Sequence, residues 1–223
     1  MKYLTALLFA FALTGCAMRN KEPMITMHVD TSFTMPERQC LEASADQWRY
    51  QTSEFADVEF KYDFNSHSVT SVGENFLHDR VVRWTSDNPT VKAIEEANAE
   101  PGSPYMLLGQ VNGHHLNDEV RLPIEMRLVA DRLGDAHTCR LTAIHELGHV
   151  FGLPHMAKAT DIMFPAVMLE RTECLKKDEL TLFSYLDHGT NIEMKPCDDQ
   201  PDSDFPELSK AGPADTENIW GLR

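Results

Sequence analysis

The sequence predicts an α+β domain, because its apolar residues recur at two different spacings along one chain. Val58, Phe60, Tyr62 and Phe64 alternate with polar neighbours, the period of a half-buried strand. Cys40, Leu41, Ala43, Ala45 and Trp48 instead form the buried positions of a helix. The composition agrees with a folded core: of 223 residues, 42% are hydrophobic and 25% charged, which excludes wholesale disorder and a polytopic membrane protein. A chain of this length buries enough apolar surface in one domain to fold as a monomer.

Residues 24–30 (MITMHVD) read as a strand, and residues 36–50 as a helix opened by Thr34 or Pro36. Residues 58–64 and 80–84 (RVVRW) are the next two strands. Asn88-Pro89 and Pro101-Gly102 bracket a short helical stretch, residues 91–99, so residues 86–104 read as a surface connection. Two more strands, residues 105–111 and 124–131, flank a polar loop containing His114 and His115. Beyond Asp135 the pattern is helical to Phe151, breaks at Gly152, and returns as a helix over residues 177–186. The expected order is strand, helix, four strands, helix, loop, helix.

The two ends differ from this body. Lys2 precedes an apolar run over residues 3–13, too short to cross a bilayer, which takes about 20 apolar residues, and typical of a secretory signal. Leu13-Thr14-Gly15-Cys16 resembles the lipobox of bacterial lipoproteins, in which the cysteine is acylated and becomes residue one; an ordinary signal peptide holding a cysteine is the alternative. Ala17, rather than an aspartate, follows Cys16, which by analogy with lipoprotein sorting leans to the outer membrane or cell surface. At the other end, Asp198, Asp199, Asp202, Asp204, Glu207, Asp215 and Glu217 are interspersed with Pro201, Pro206 and Pro213, the composition of a disordered acidic tail that Trp220 and Leu222 could dock. The expected division is a signal peptide over 1–15, a lipidated linker over 16–23, one folded domain over 24–197 and the tail over 198–223.

With 35 acidic against 20 basic residues the formal charge is −15. No basic cluster is available for counterion release, so a dedicated nucleic-acid binder is excluded, and adhesion to anionic lipid heads is disfavoured, leaving acylated Cys16 to hold the chain on a bilayer. Cys40, Cys139, Cys174 and Cys197 permit two disulfides in an exported chain, in three connectivities. The favoured pairs are Cys139 with Cys174 and Cys40 with Cys197. There is no CxxC, so a four-thiolate zinc site is not expected.

The segment His145-Glu146-Leu147-Gly148-His149-Val150-Phe151-Gly152-Leu153-Pro154-His155 carries the chemistry. On a helix, His145 and His149 stack one turn apart, so both imidazoles can reach one ion. Gly152 can end the helix in a left-handed conformation, and the reversal can bring His155 round as a third ligand. Three imidazoles leave one tetrahedral position on zinc open, where a water's pKa falls to about 7. Glu146, adjacent to the first ligand but not pointing with it, can take the proton.

These residues resemble the metzincin metalloproteases, whose motif H-E-x-x-H-x-x-G-x-x-H is matched at every fixed position. Met163 in Asp161-Ile162-Met163-Phe164-Pro165 resembles the Met-turn, with an interval most similar to the matrixin branch. The resemblance implies a matrixin-like catalytic fold, a mixed twisted sheet of about five strands with an active-site helix, a Met-turn and a C-terminal helix. It further implies that His145, His149 and His155 bind one catalytic zinc, that Glu146 is the general base, and that Met163 floors the metal. Residues 105–111, with Leu108 and Gly109, match the edge strand on which the family lays a peptide. Pro165 and Val167 would line the pocket after the scissile bond, and Val167, Met168 and Leu169 suit a medium or large apolar side chain or are core. No zinc-blocking prodomain is visible, and no second structural metal is expected, since His114 and His115 lack the spaced ligand set. The reading is a membrane-anchored zinc endopeptidase. Its rivals are a zinc amidase acting on cell-wall peptides and a zinc-stabilised surface binding protein without catalysis.

Overall fold

The computed structural model describes residues 25–66, 78–99, 106–112, 123–166, 172–186 and 193–197. The expected leader with Cys16, the His114 and His115 loop, Val167 and the acidic tail lie outside them. The described elements are β1 (Ile25–Asp30), α1 (Met35–Gln51), β2 (Val58–Phe64), β3 (Arg80–Trp84), α2 (Pro89–Asn98), β4 (Gly109–Asn112), β5 (Glu125–Val129), a 3-10 turn (Ala130–Arg132), α3 (Ala136–Val150) and α4 (Lys177–Leu186).

The strands form a five-stranded sheet in the order β2-β1-β3-β5-β4. β1 runs parallel to β2 and β3, β3 runs parallel to β5, and β4 alone is antiparallel, pairing with β5 at the sheet edge. A parallel pair needs a crossover, and α1 supplies the one between β1 and β2. The α+β fold class read from the sequence is the one observed, and β4 is the last strand on its side of the sheet among the described residues.

α1 and α3 pack against each other, and their contact explains the apolar pattern of both. Leu41, Ala45 and Trp48 from α1 and Leu141, Ile144 and Leu147 from α3 are all buried in one core with Met27, Val29, Met126 and Leu128 of the sheet. The Trp48 indole satisfies its polar atom across this seam, donating Nε1–H to the Ile144 carbonyl at 3.0 Å. Each helix start is capped as its sequence allows. The Thr34 N–H donates to the Glu37 carboxylate at 2.7 Å, and the Asp135 carboxylate accepts from the Thr138 N–H at 2.9 Å. Glu37 also receives a forked pair from Arg83 on β3, at 2.9 and 3.1 Å, which ties the start of α1 to the sheet.

The short helix expected within residues 86–104 is present as α2, which starts at Pro89, capped by Asn88, and packs Val91 and Ile94 against Trp84, Leu107 and Val129. One expectation is corrected. The disulfides join Cys40 to Cys139 and Cys174 to Cys197, not the favoured pairs. Side-by-side packing of α1 and α3 brings Cys40 and Cys139 to a Cα separation of 6.2 Å. The C-terminal segment does return to α1, as expected, but to its far end. The Lys195 N–H donates to the Gln51 carbonyl at 2.9 Å, and the buried Gln51 amide bonds to the backbone of Leu175 and Lys195. Gln51 lies about 16 Å along the helix from Cys40 at 1.5 Å per residue, beyond reach of a disulfide.

Candidate metal centre

α3 carries His145, Glu146 and His149, and the helix then ends in a way that returns the chain to them. Gly152 has φ 88°, a conformation that favours glycine. The Gly152 N–H donates to the His149 carbonyl and the Leu153 N–H to the Gly148 carbonyl, each at 2.9 Å, closing a Schellman turn. Two residues later His155 faces the helix it left. His149 Nε2 lies 3.1 Å from both His145 Nε2 and His155 Nε2. One ligand atom from each of the three histidines falls within 4.8 Å of the others, and this is the one such cluster of metal-ligating side chains among the described residues.

The donor set fits a divalent cation. His145 Nδ1 is 2.6 Å from the Ile162 carbonyl and His149 Nδ1 is 2.7 Å from the Leu153 carbonyl. A carbonyl only accepts, so both Nδ1 atoms carry the proton and both Nε2 atoms present lone pairs. Lone pairs 3.1 Å apart repel unless a positive charge lies between them. Four-coordinate zinc with Zn–N bonds of about 2.0–2.1 Å places its ligand atoms roughly 3.3 Å apart. Burial lowers the pKa of His149, against the opposing effect of its hydrogen bond to Leu153. Burial first, and then His149, push that of His155 down to about 4. His155 is therefore neutral well below neutral pH, and burial biases His149 toward the same neutral form that a metal ligand needs.

Glu146 is fully buried, and neither carboxylate oxygen has a hydrogen-bond partner among the described residues. It lies against the first residue of β4: a Cβ built on Gly109 would stand 2.5 Å from Glu146 Oε1. Burial pushes the carboxyl well above the usual carboxylate range. Between His145 and His149 in sequence, Gly148 has the Met163 sulfur packed against it. The turn that holds Met163 is fastened twice. The Met156 N–H donates to the Met163 carbonyl at 2.8 Å, and the Met163 N–H donates to the buried Glu179 carboxylate at 2.7 Å.

The structure thus gathers His145, Glu146, His149, His155 and Met163 in one place, with Gly109 beside them. Leu108 is buried, and its carbonyl accepts from the Val129 N–H at 2.8 Å. Pro165 is half-buried two residues past Met163. Glu179 was not legible as a site residue, because an acid in the first turn of α4 reads as an ordinary partner of the helix dipole.

The family model of the matrixins, peptidase family M10, matches residues 43–186. Among solved structures, the chain is similar to archaemetzincin from Methanopyrus kandleri, at 15% identity over 75% of this chain and 97% of that one, with a TM-score of 0.43. No curated protein matches it.

Proposed function

Because the chain belongs to the matrixin family of metzincin-type zinc metallopeptidases, we propose that it is an endopeptidase that cleaves extended peptides laid along β4. The observation that carries this reading is the convergence of three imidazole Nε2 atoms beside a buried carboxylate, next to a strand whose outer edge has no partner strand among the described residues.

His145, His149 and His155 would hold the zinc, which when bound supplies Lewis-acid polarisation of the scissile carbonyl and lowers the pKa of a water. Glu146 is the general base, taking a proton from the attacking water on a carboxylate oxygen and returning it to the leaving amine nitrogen. Its burial suits both steps, because the carboxylate is paired with no cation among the described residues and binds a proton readily. Met163 floors the histidines. A bound peptide adds to β4 as a further strand at Gly109, with main-chain hydrogen bonds giving affinity. By the family resemblance, Pro165 would line the pocket for the side chain after the cut, with Val167, which lies outside the described residues, following it in sequence. The leader and Cys16 support an exported protein held on a bacterial outer membrane or cell surface by an acyl chain. No described helix is long and apolar enough to cross a membrane.

The test uses purified protein incubated with an unstructured protein and with peptidoglycan, each with and without a chelator, beside Glu146→Gln. Chelator-sensitive cleavage of the protein substrate is expected. Glu146→Gln should retain about one zinc per chain while the rate falls at least about a hundredfold. A Glu146→Gln protein that cleaves normally with zinc bound refutes the mechanism, and release of cell-wall peptides alone replaces the endopeptidase by an amidase.

A further inference from the structure

Both backbone polar groups of Leu107, two residues before Gly109, are held by charged side chains. The Leu107 N–H donates to Glu95 Oε1 at 2.9 Å, and the Leu107 carbonyl accepts from Arg132 Nη1 at 3.0 Å. The two side chains also pair with each other, Arg132 Nη2 lying 3.2 Å from Glu95 Oε2 and Nη1 bonding Oε1. Glu95 projects from α2 and Arg132 from the 3-10 turn after β5, so two separate elements meet on the segment that leads into β4. Each side chain is only 18% exposed. Solvent and salt therefore screen the pair weakly, and its hydrogen bonds to Leu107 are of the strong, charge-assisted kind.

Around this pair lies a small apolar core separate from the main one. Val91, Leu107 and Val129 are buried in it, with Trp84 and Ile94 packed on them. Leu107 is thus fixed by its side chain and by both ends of its peptide groups. Leu108 is fixed next, through the Val129 N–H. Gly109 then starts β4 so close to Glu146 that no Cβ fits between them. A chain of short, stiff links runs from the Glu95–Arg132 pair to the carboxylate that we assign as general base.

We propose that Glu95 and Arg132 are positioning residues that set where the substrate-binding edge of β4 stands relative to Glu146 and the three histidines. The inference rests on the endopeptidase reading. A peptide that adds to β4 takes its register from the strand, so the pair determines whether the scissile carbonyl reaches the metal side of Glu146. Displacements of about 1 Å at such a point can lower a rate by about a hundredfold. Neither residue belongs to the histidine cluster, and loss of the pair leaves the three zinc-ligating side chains in the chain.

The experiment compares wild type with Arg132→Ala, Glu95→Ala, their double variant, and the conservative Arg132→Lys and Glu95→Gln. Three quantities are read: zinc content, kcat and KM for a long peptide that extends along β4 and for a short one that barely reaches past the scissile bond, and affinity of the long peptide for each change placed in a Glu146→Gln background. Zinc should stay near one per chain in all. Arg132→Ala and Glu95→Ala should raise KM for the long peptide and lower its kcat/KM by about ten- to a hundredfold, at least about tenfold more than for the short one. The double variant should be no worse than the more severe single one, since both break the same brace, and Arg132→Lys should recover part of the loss. Equal losses on long and short peptides, or unchanged long-peptide affinity in the Glu146→Gln background, would overturn the proposal. Should an alanine variant fail to fold, the conservative pair decides by the same readings. A wild type that cleaves neither peptide sinks the endopeptidase reading instead, and the affinity measurement still decides the role of the brace.

Discussion

The Met163 sulfur occupies the space in which a side chain at residue 148 would begin. A Cβ on Gly148 would collide with Met163 Sδ, stand 2.9 Å from its Cε, and lie 3.3 Å from the Trp48 ring. The unconstrained fourth position of the motif is therefore a glycine for a packing reason: the helix must let the Met163 side chain pass directly against its backbone.

Gly148→Ala should destabilise the protein by about 1–3 kcal/mol, the usual penalty for overpacking. Met163→Leu conserves volume and should lose less than about 1.5 kcal/mol. Adding Met163→Ala to Gly148→Ala makes room for the new methyl group, so the two changes should be non-additive. Urea unfolding of wild type, Gly148→Ala, Met163→Ala and the double variant measures this, and additive losses would mean that the two residues do not share the space.

Glu146→Gln should stabilise the chelated, metal-free protein even as it removes activity. Burial raises the Glu146 carboxyl above its ordinary value of 4.5. The folded protein then holds that proton more tightly than the unfolded chain. Stability from this group is in place below pH 4.5 and is lost as pH rises through the folded value. The gain from glutamine should be largest at neutral pH and shrink toward acid. Thermal melting of both proteins in chelator across pH 4 to pH 8 is the check; a constant difference would show that the carboxylate finds a partner.

His155 behaves in the opposite sense. Its folded pKa of about 4 lies below the ordinary 6.5, so the unfolded chain binds the extra proton between these values. Stability of the metal-free protein from this group is present above pH 6.5 and falls as pH drops toward 4. His155→Gln should flatten that part of the metal-free profile, and without the ligand zinc affinity should fall sharply. Metal analysis and melting curves from pH 4 to pH 7 read both.

The two disulfides should differ in weight. Cys40 and Cys139 are 99 residues apart and Cys174 and Cys197 are 23 apart. Loop-closure entropy then favours the first, at about 4–5 kcal/mol against about 3 kcal/mol. Paired serine variants, compared by urea unfolding, test the order. Peptide mapping of the unreduced protein tests the connectivity itself.

Cys16→Ser should move the expressed protein from the detergent phase to the aqueous phase, because the proposed acyl chain is its anchor. Continued membrane attachment would remove the lipoprotein proposal and leave the catalytic one untouched.

What the sequence determined by itself is what one short segment can encode. The helical period puts His145 and His149 on one face, Gly152 is where the helix must turn, and His155 and Met163 follow at fixed intervals. The strands over residues 58–64 and 80–84 and the last helix were legible for the same reason, since periodicity is a local property. Contacts between distant segments leave no such trace. The return of the C-terminal segment to Gln51 rather than Cys40, the Glu179 bond to Met163, the fit of Gly109 against Glu146, and the grip of Glu95 and Arg132 on Leu107 join residues from different elements. An acid in a helix or a glycine in a strand looks the same in a sequence whether it faces solvent or a buried partner. Only the strand order, with β4 antiparallel at the edge, and the packing of α1 on α3 decide which partner it meets, because those are set by burying many apolar side chains at once.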